Sequence, residues 1–179
     1  MIEIDLGVIE YYDSKLNQFV YDEGGKVQFE YSLKAVYEWE GRWRKPFLKG
    51  GLSELELIDF YKSMALTEID ERFLTQEVMT KLAKYVTSPN TATTFSAHSD
   101  ETGTNKIGGK VYTAEELYYL MFANGIPIEF EERNLNRLMT ILRVMSARNS
   151  PPKKMTREEI LQQNAKLNAE RRAALKTKG

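Results

Sequence analysis

The sequence contains no cysteine, a single histidine (His98) and five prolines in 179 residues. Without cysteine there is no disulfide framework and no cysteine-ligated zinc or iron–sulfur site. The same lack fits a reducing compartment. No apolar run of about 18 residues or more occurs, so no segment reads as a membrane-spanning helix. A basic, apolar leader is missing too: the chain starts Met1-Ile2-Glu3-Ile4-Asp5, acidic and alternating, which does not read as a signal peptide. Nor is there an overall excess of one charge, since 25 basic side chains face 26 acidic ones. These absences predict an intracellular, soluble, globular protein, with 42% apolar residues to build its core. The length suits one domain, or one domain with an appendage.

Charge is unevenly distributed along the chain. Residues 151–179 carry eight basic and three acidic side chains, leaving 17 basic against 23 acidic in the remainder. Pro151-Pro152 marks the boundary, because a residue before proline is pushed out of helical conformation. The reading is a globular domain over residues 1–150 and a basic helical arm over 151–179.

Ile2, Ile4 and Leu6 alternate with Glu3 and Asp5, the period of a half-buried strand. Asp22-Glu23-Gly24-Gly25 carries turn chemistry between Phe19 and Tyr21 on one side and Val27, Phe29 and Tyr31 on the other, which predicts a β-hairpin turning there. Helices follow. Ser53-Glu54-Leu55-Glu56, Thr113-Ala114-Glu115-Glu116 and Thr156-Arg157-Glu158-Glu159 match the capping box, in which hydroxyl and carboxylate satisfy two orphan amides. Apolar stripes run through Leu57, Ile58, Tyr61 and Ala65; through Val78, Leu82, Tyr85 and Val86; through Leu117, Leu120 and Met121; and through Leu135, Leu138, Met139, Leu142 and Met145. A helix near 32–44 carries Trp39 and Trp43 one turn apart. Thr91–Ser96 reads as extended, and Lys110-Val111-Tyr112 as the return strand of a longer hairpin with a polar, mobile tip over 97–110. The expected fold is α+β: a small N-terminal antiparallel sheet packed with about five helices, plus the arm. The expected core is Ile4, Phe29, Val36, Leu57, Tyr61, Leu82, Leu120, Leu138 and Leu142.

Signals for chemistry are weak. His98 has only loop carboxylates such as Asp100 and Glu101 beside it, too little for a metal site, and no Gly-x-Ser-x-Gly nucleophile elbow occurs. The stretch Gly103–Lys110 resembles a phosphate loop but lacks its register and leads into a strand, so nucleotide binding is rejected. No enzyme activity, cofactor or metal is implied. The aromatics Tyr11, Tyr12, Tyr37, Trp39, Trp43, Tyr118 and Tyr119 lie in an acidic body that repels a phosphate backbone, which favours core packing or a protein-contact surface over base stacking.

The arm is the most informative segment. Its few apolar residues, Ile160, Leu161, Leu167 and Leu175, are too sparse to hold a helix on a core, so a partner should order it. Ile160, Leu161 and Leu167 are the predicted apolar contacts. Arg157, Arg171 and Arg172 are predicted to meet carboxylates around them, a role suited to the planar guanidinium fork. Trp39 and Trp43 form a second predicted contact face. Nucleic acid is a weaker candidate partner for the basic arm, and a membrane weaker still, because no Trp or Phe lies on its apolar side.

Several segments together carry a family resemblance: Thr91–Ser96; Glu116-Leu117-Tyr118-Tyr119 with Ile126-Pro127; Leu135–Val144; Pro151–Met155 with Asn168-Ala169-Glu170-Arg171-Arg172; and Trp39, Trp43 and Lys45-Pro46-Phe47-Leu48. In these segments the chain resembles the tail assembly chaperones and related tail-region proteins of long-tailed, siphovirus-type bacteriophages. The resemblance implies a protein without catalytic residues that binds the tape measure protein, another tail protein or further copies of itself. It also implies a place in the host cytoplasm during phage assembly, or retention in the virion as a structural component.

Overall fold

The structure, a computed structural model, describes residues 1–93, 106–107, 110–149 and 157–175. It forms two compact units, Met1–Ala147 and Arg148–Gly179. The fold is α+β. Its elements in order are β1 (Ile2–Asp5), β2 (Val8–Asp13), β3 (Gln18–Glu23), β4 (Lys26–Phe29), α1 (Leu33–Trp43), α2 (Glu54–Met64), α3 (Gln76–Thr87), β5 (Lys106–Ile107), β6 (Lys110–Val111), α4 (Ala114–Ala123), α5 (Leu135–Asn149) and α6 (Arg157–Leu175).

The first four strands make one long hairpin. β1 pairs antiparallel with β4, Ile2 opposite Phe29 and Asp5 opposite Lys26; β2 pairs with β3, Val8 opposite Glu23 and Asp13 opposite Gln18. Between the two ladders the register holds, through Leu6 N–H to Gly25 O and Gly24 N–H to Gly7 O, both 2.9 Å. The chain therefore reverses at Ser14–Asn17, not at Asp22–Gly25 as predicted. Asp13 Oδ1 caps the turn by accepting from the Lys15 and Leu16 amides at 2.8 and 3.3 Å, and Asn17 takes the left-handed conformation at φ 52°. The glycines serve close approach instead. A Cβ on Gly24 would lie 2.5 Å from Leu6 Cβ and 2.6 Å from the Phe73 ring.

Two helices, α2 and α4, begin where their capping boxes predict. Ser53 and Thr113 complete capping boxes with Glu56 and Glu116, while Ser32 and Thr75 cap α1 and α3. α1 is the central helix, packed against α2, α4 and the 3₁₀ turn Ile128–Glu132. Of the expected core, Ile4, Phe29, Val36, Tyr61, Leu82, Leu138 and Leu142 are buried, whereas Leu57 and Leu120 are only half-buried. On α2 the inward face is rotated from the predicted stripe. It buries Glu56, Phe60, Tyr61 and Met64, because the Phe60 ring fills the aromatic cluster of Tyr31 and Phe47. The return strand Lys110–Val111 pairs with the two-residue β5, so the hairpin there is short among the described residues. His98, Thr94–Ser96, Pro151-Pro152 and Thr156 lie outside the described residues.

Candidate interaction surfaces

Of the predicted Trp39–Trp43 face, only part is accessible. Trp39 has no exposed surface, and its indole N–H donates to the Glu56 carbonyl at 2.8 Å. It stacks on Trp43 at 6.2 Å and meets Phe47 edge-on at 5.3 Å. Trp39 is therefore a core anchor that offers no surface to a partner. The reason is periodic: it follows Ala35 and Val36 by about one turn, on the buried face of α1. Trp43, one turn further, is half-buried and donates its indole N–H to Asp59 Oδ2 at 2.8 Å.

Two carboxylates beside this cluster have structural partners. Glu56 is buried, paired with Lys45, and accepts from the Ser53 amide at 2.8 Å. The bond from Lys45, then the Ser53 amide, holds its carboxyl at about 2, below the usual range. Glu40 accepts from the Phe47 amide and the Ala114 amide, both at 2.8 Å, and so ties the loop after α1 to the start of α4. Partial burial raises its pKa, against those two amides.

A cleft of about 540 Å³ is lined by Glu30, Tyr85, Asn90, Arg133, Asn134 and Arg137, among others. Tyr85 donates its hydroxyl to Glu30 at 2.6 Å, Asn134 donates to Glu30 at 3.1 Å, and the Met1 amino group pairs with the same carboxylate. Burial first, then that carboxylate, pushes the Tyr85 phenol well above its ordinary value. Among the described residues, the Asn134 side-chain oxygen and the Asn90 side-chain nitrogen are buried without a hydrogen-bond partner. With Glu30 already engaged by an ammonium, a phenol and an amide, the cluster holds β4, α3 and the start of α5 together. It does not present a free base.

The hairpin tip carries a surface that the sequence reading did not single out. β2 and β3 alternate, with Ile9, Tyr11, Val20 and Asp22 half-buried on the inner face. There the Arg72 guanidinium sits 4.2 Å from the Tyr11 ring centroid and 3.6 Å from Asp22, held by Asp70 at 2.8 Å. On the outer face Val8, Tyr12, Phe19 and Tyr21 are 60, 51, 65 and 68% exposed, and Leu16 in the turn is 61% exposed. Tyr12 and Phe19 meet edge-on at 5.3 Å, and Tyr21 donates its hydroxyl to Glu10 at 2.8 Å. A cluster of large apolar side chains this exposed is characteristic of a contact surface. The overlooked signal was Asp13…Asn17 between two alternating runs, which marks a turn as well as Gly24-Gly25 does.

In the second unit, α6 presents the predicted arm residues. Arg157 opens the helix, and Ile160, Leu161 and Leu167 are exposed, as are Arg171 and Arg172. Ile160, Leu167 and Arg171 are spaced by seven and four, which places them on one face; Leu161 and Arg172, eleven apart, share the adjacent one. No helix among the described residues is long and apolar enough to cross a membrane. In comparisons with known proteins, no family model, no curated protein and no solved structure matches the chain.

Proposed function

We propose that this chain is a bacteriophage tail assembly protein of the assembly-chaperone type. It acts through protein–protein contacts with the tape measure protein or tail tube components, and its basic arm is the principal contact element. The observation that carries the proposal is α6, a helix of 19 residues on which Ile160, Leu161 and Leu167 stand uncovered. An isolated helix of mixed polarity gains little stability from its own residues, so an apolar stripe of this kind calls for a partner surface. The motif resemblance supplies the partner class. A long, largely helical tape measure chain exposes apolar and charged stripes while it is being assembled, and an apolar helix edged with arginines suits transient pairing with them.

Co-expression with the tape measure protein of the same phage tests the reading. A complex should co-purify at low salt and should be lost when Ile160, Leu161 and Leu167 are changed together to serine. Failure to associate at any ionic strength would sink the proposal. Mass spectrometry of purified virions separates an assembly factor, which is absent from the particle, from a retained structural component. The arm's excess of basic residues favours a second reading, contact with nucleic acid. That reading requires affinity for duplex or single strands that falls steeply with salt, through counterion release.

A further inference from the structure

We infer that the outer face of the hairpin tip is the receiving surface for the α6 arm of a second copy of this chain, in a head-to-tail contact between molecules. The inference rests on the reading of α6 as a docking element and adds where one class of its partners is found. Three observations carry it.

The first is charge. Glu10 and Glu23 project from the outer face beside Val8, Tyr12, Phe19 and Tyr21, and neither strand carries a lysine or arginine; Lys15 lies in the turn beyond them. They are diagonal neighbours across the ladder, about 7–8 Å apart, and neither has an ion-pair partner among the described residues. Arg171 and Arg172 on α6 are exposed and likewise have none among the described residues. Two unmatched carboxylates and two unmatched guanidinium groups, each set beside uncovered apolar side chains, are complementary surfaces. Two hairpins facing each other would instead set four carboxylates together, which argues against a symmetric hairpin pair.

The second is span. From Val8 to Tyr12 the strand advances about 13 Å at roughly 3.3 Å per residue. From Ile160 to Arg171 the helix advances about 16 Å at roughly 1.5 Å per residue. The two elements therefore present their apolar and charged positions over comparable lengths. The third is composition. The hairpin supplies rigid aromatic rings and the arm supplies flexible aliphatic side chains with arginines, which can pack over the rings as well as pair with the acids. Because donor and acceptor surfaces differ, the contact is heterologous. Each added copy leaves one free hairpin and one free arm at the ends of the assembly.

A charge exchange tests this on the full-length chain. The hairpin variant carries Glu10→Lys and Glu23→Lys; the arm variant carries Arg171→Glu and Arg172→Glu. All four positions are exposed, so circular dichroism and thermal melting should report unaltered folding. Sedimentation velocity of the wild-type chain should show concentration-dependent association that weakens with added salt. Each variant alone should associate at least about tenfold more weakly, and an equimolar mixture should recover most of the wild-type association. Phe19→Ala, which leaves the charges in place, should weaken association without being rescued by the arm variant.

A wild-type chain that stays monomeric up to ~200 µM at low salt would overturn the inference, as would variants that associate normally or a mixture that is not restored. These measurements use the isolated chain. Loss of self-association with an intact tape measure complex would therefore refute this contact alone, and the reverse result would refute only the tail-assembly reading.

Discussion

At the root of the N-terminal hairpin, Ile4, Val27 and Phe29 are buried against the helices, while a few residues further along the same ladder Val8, Tyr12, Phe19 and Tyr21 face solvent. Register is continuous between the two halves, but the inward positions shift by one. Ile4, Leu6, Val27 and Phe29 point inward at the root and Ile9, Tyr11, Val20 and Asp22 at the tip, with Gly7 and Gly25 at φ 68° and 63° between them. The root is covered along its β4 edge, where the Leu66 amide donates to Gln28 O and the Glu30 amide to Met64 O, both at 2.9 Å. Over the tip, among the described residues, the cover is on the inner face, Arg72 above Tyr11. Within each half alternation tells which side chains share a face, and the rest of the chain decides whether a face becomes core or contact surface.

The largest expected effect lies in the core. Leu138→Ala should destabilise the fold by about 2–5 kcal/mol in chemical denaturation, since Leu138 is almost fully buried. Phe19→Ala at the tip should change stability by less than about 0.5 kcal/mol, as expected for an exposed site. A comparable loss at both positions would erase the distinction between root and tip. Gly24→Ala, at the junction of the two halves, should cost about 1–3 kcal/mol, because the new methyl meets Leu6 and Phe73. Smaller still, Arg72→Ala should cost about 0.5–1 kcal/mol by uncovering Tyr11. It should also raise amide exchange in residues 8–23 more than in 2–5 or 26–29.

The buried Glu56 gives a pH signature belonging to the helical body alone. Its carboxyl is lowered to about 2 in the fold from 4.5, so its stabilising effect is fully present above about pH 4.5 and is lost as the pH falls toward 2. Melting temperature should drop across that window, and the drop should shrink in Glu56→Gln. An unchanged acid limb in that variant would assign the loss to other carboxylates.

Helix starts were legible because their chemistry is local: Ser53 and Thr113 place a hydroxyl three residues before a carboxylate, and no distant partner is needed. Stripes on α3 and α5 were legible for the same reason. The hairpin turn was not, because Gly24-Gly25 and Asp13…Asn17 both satisfy turn chemistry, and the choice depends on Phe73, far along the chain, packing over Gly24. Trp39 illustrates the same limit at the candidate site. Its spacing from Trp43 is compatible with an exposed pair, and only the approach of α2, whose Glu56 carbonyl accepts its N–H, commits it to the core. The arm residues Ile160, Leu161 and Leu167 were legible as uncovered, since no amount of tertiary packing is available to a stripe that sparse.

Deleting residues 153–179 and following both thermal unfolding and co-purification with the tape measure protein separates fold from assembly most directly. The account predicts a melting temperature within about 2 °C of the full chain, because Ile160, Leu161 and Leu167 of the arm are exposed, together with loss of the complex. A body that unfolds on deletion, or a complex that survives it intact, would contradict the claim that the arm exists to bind another molecule.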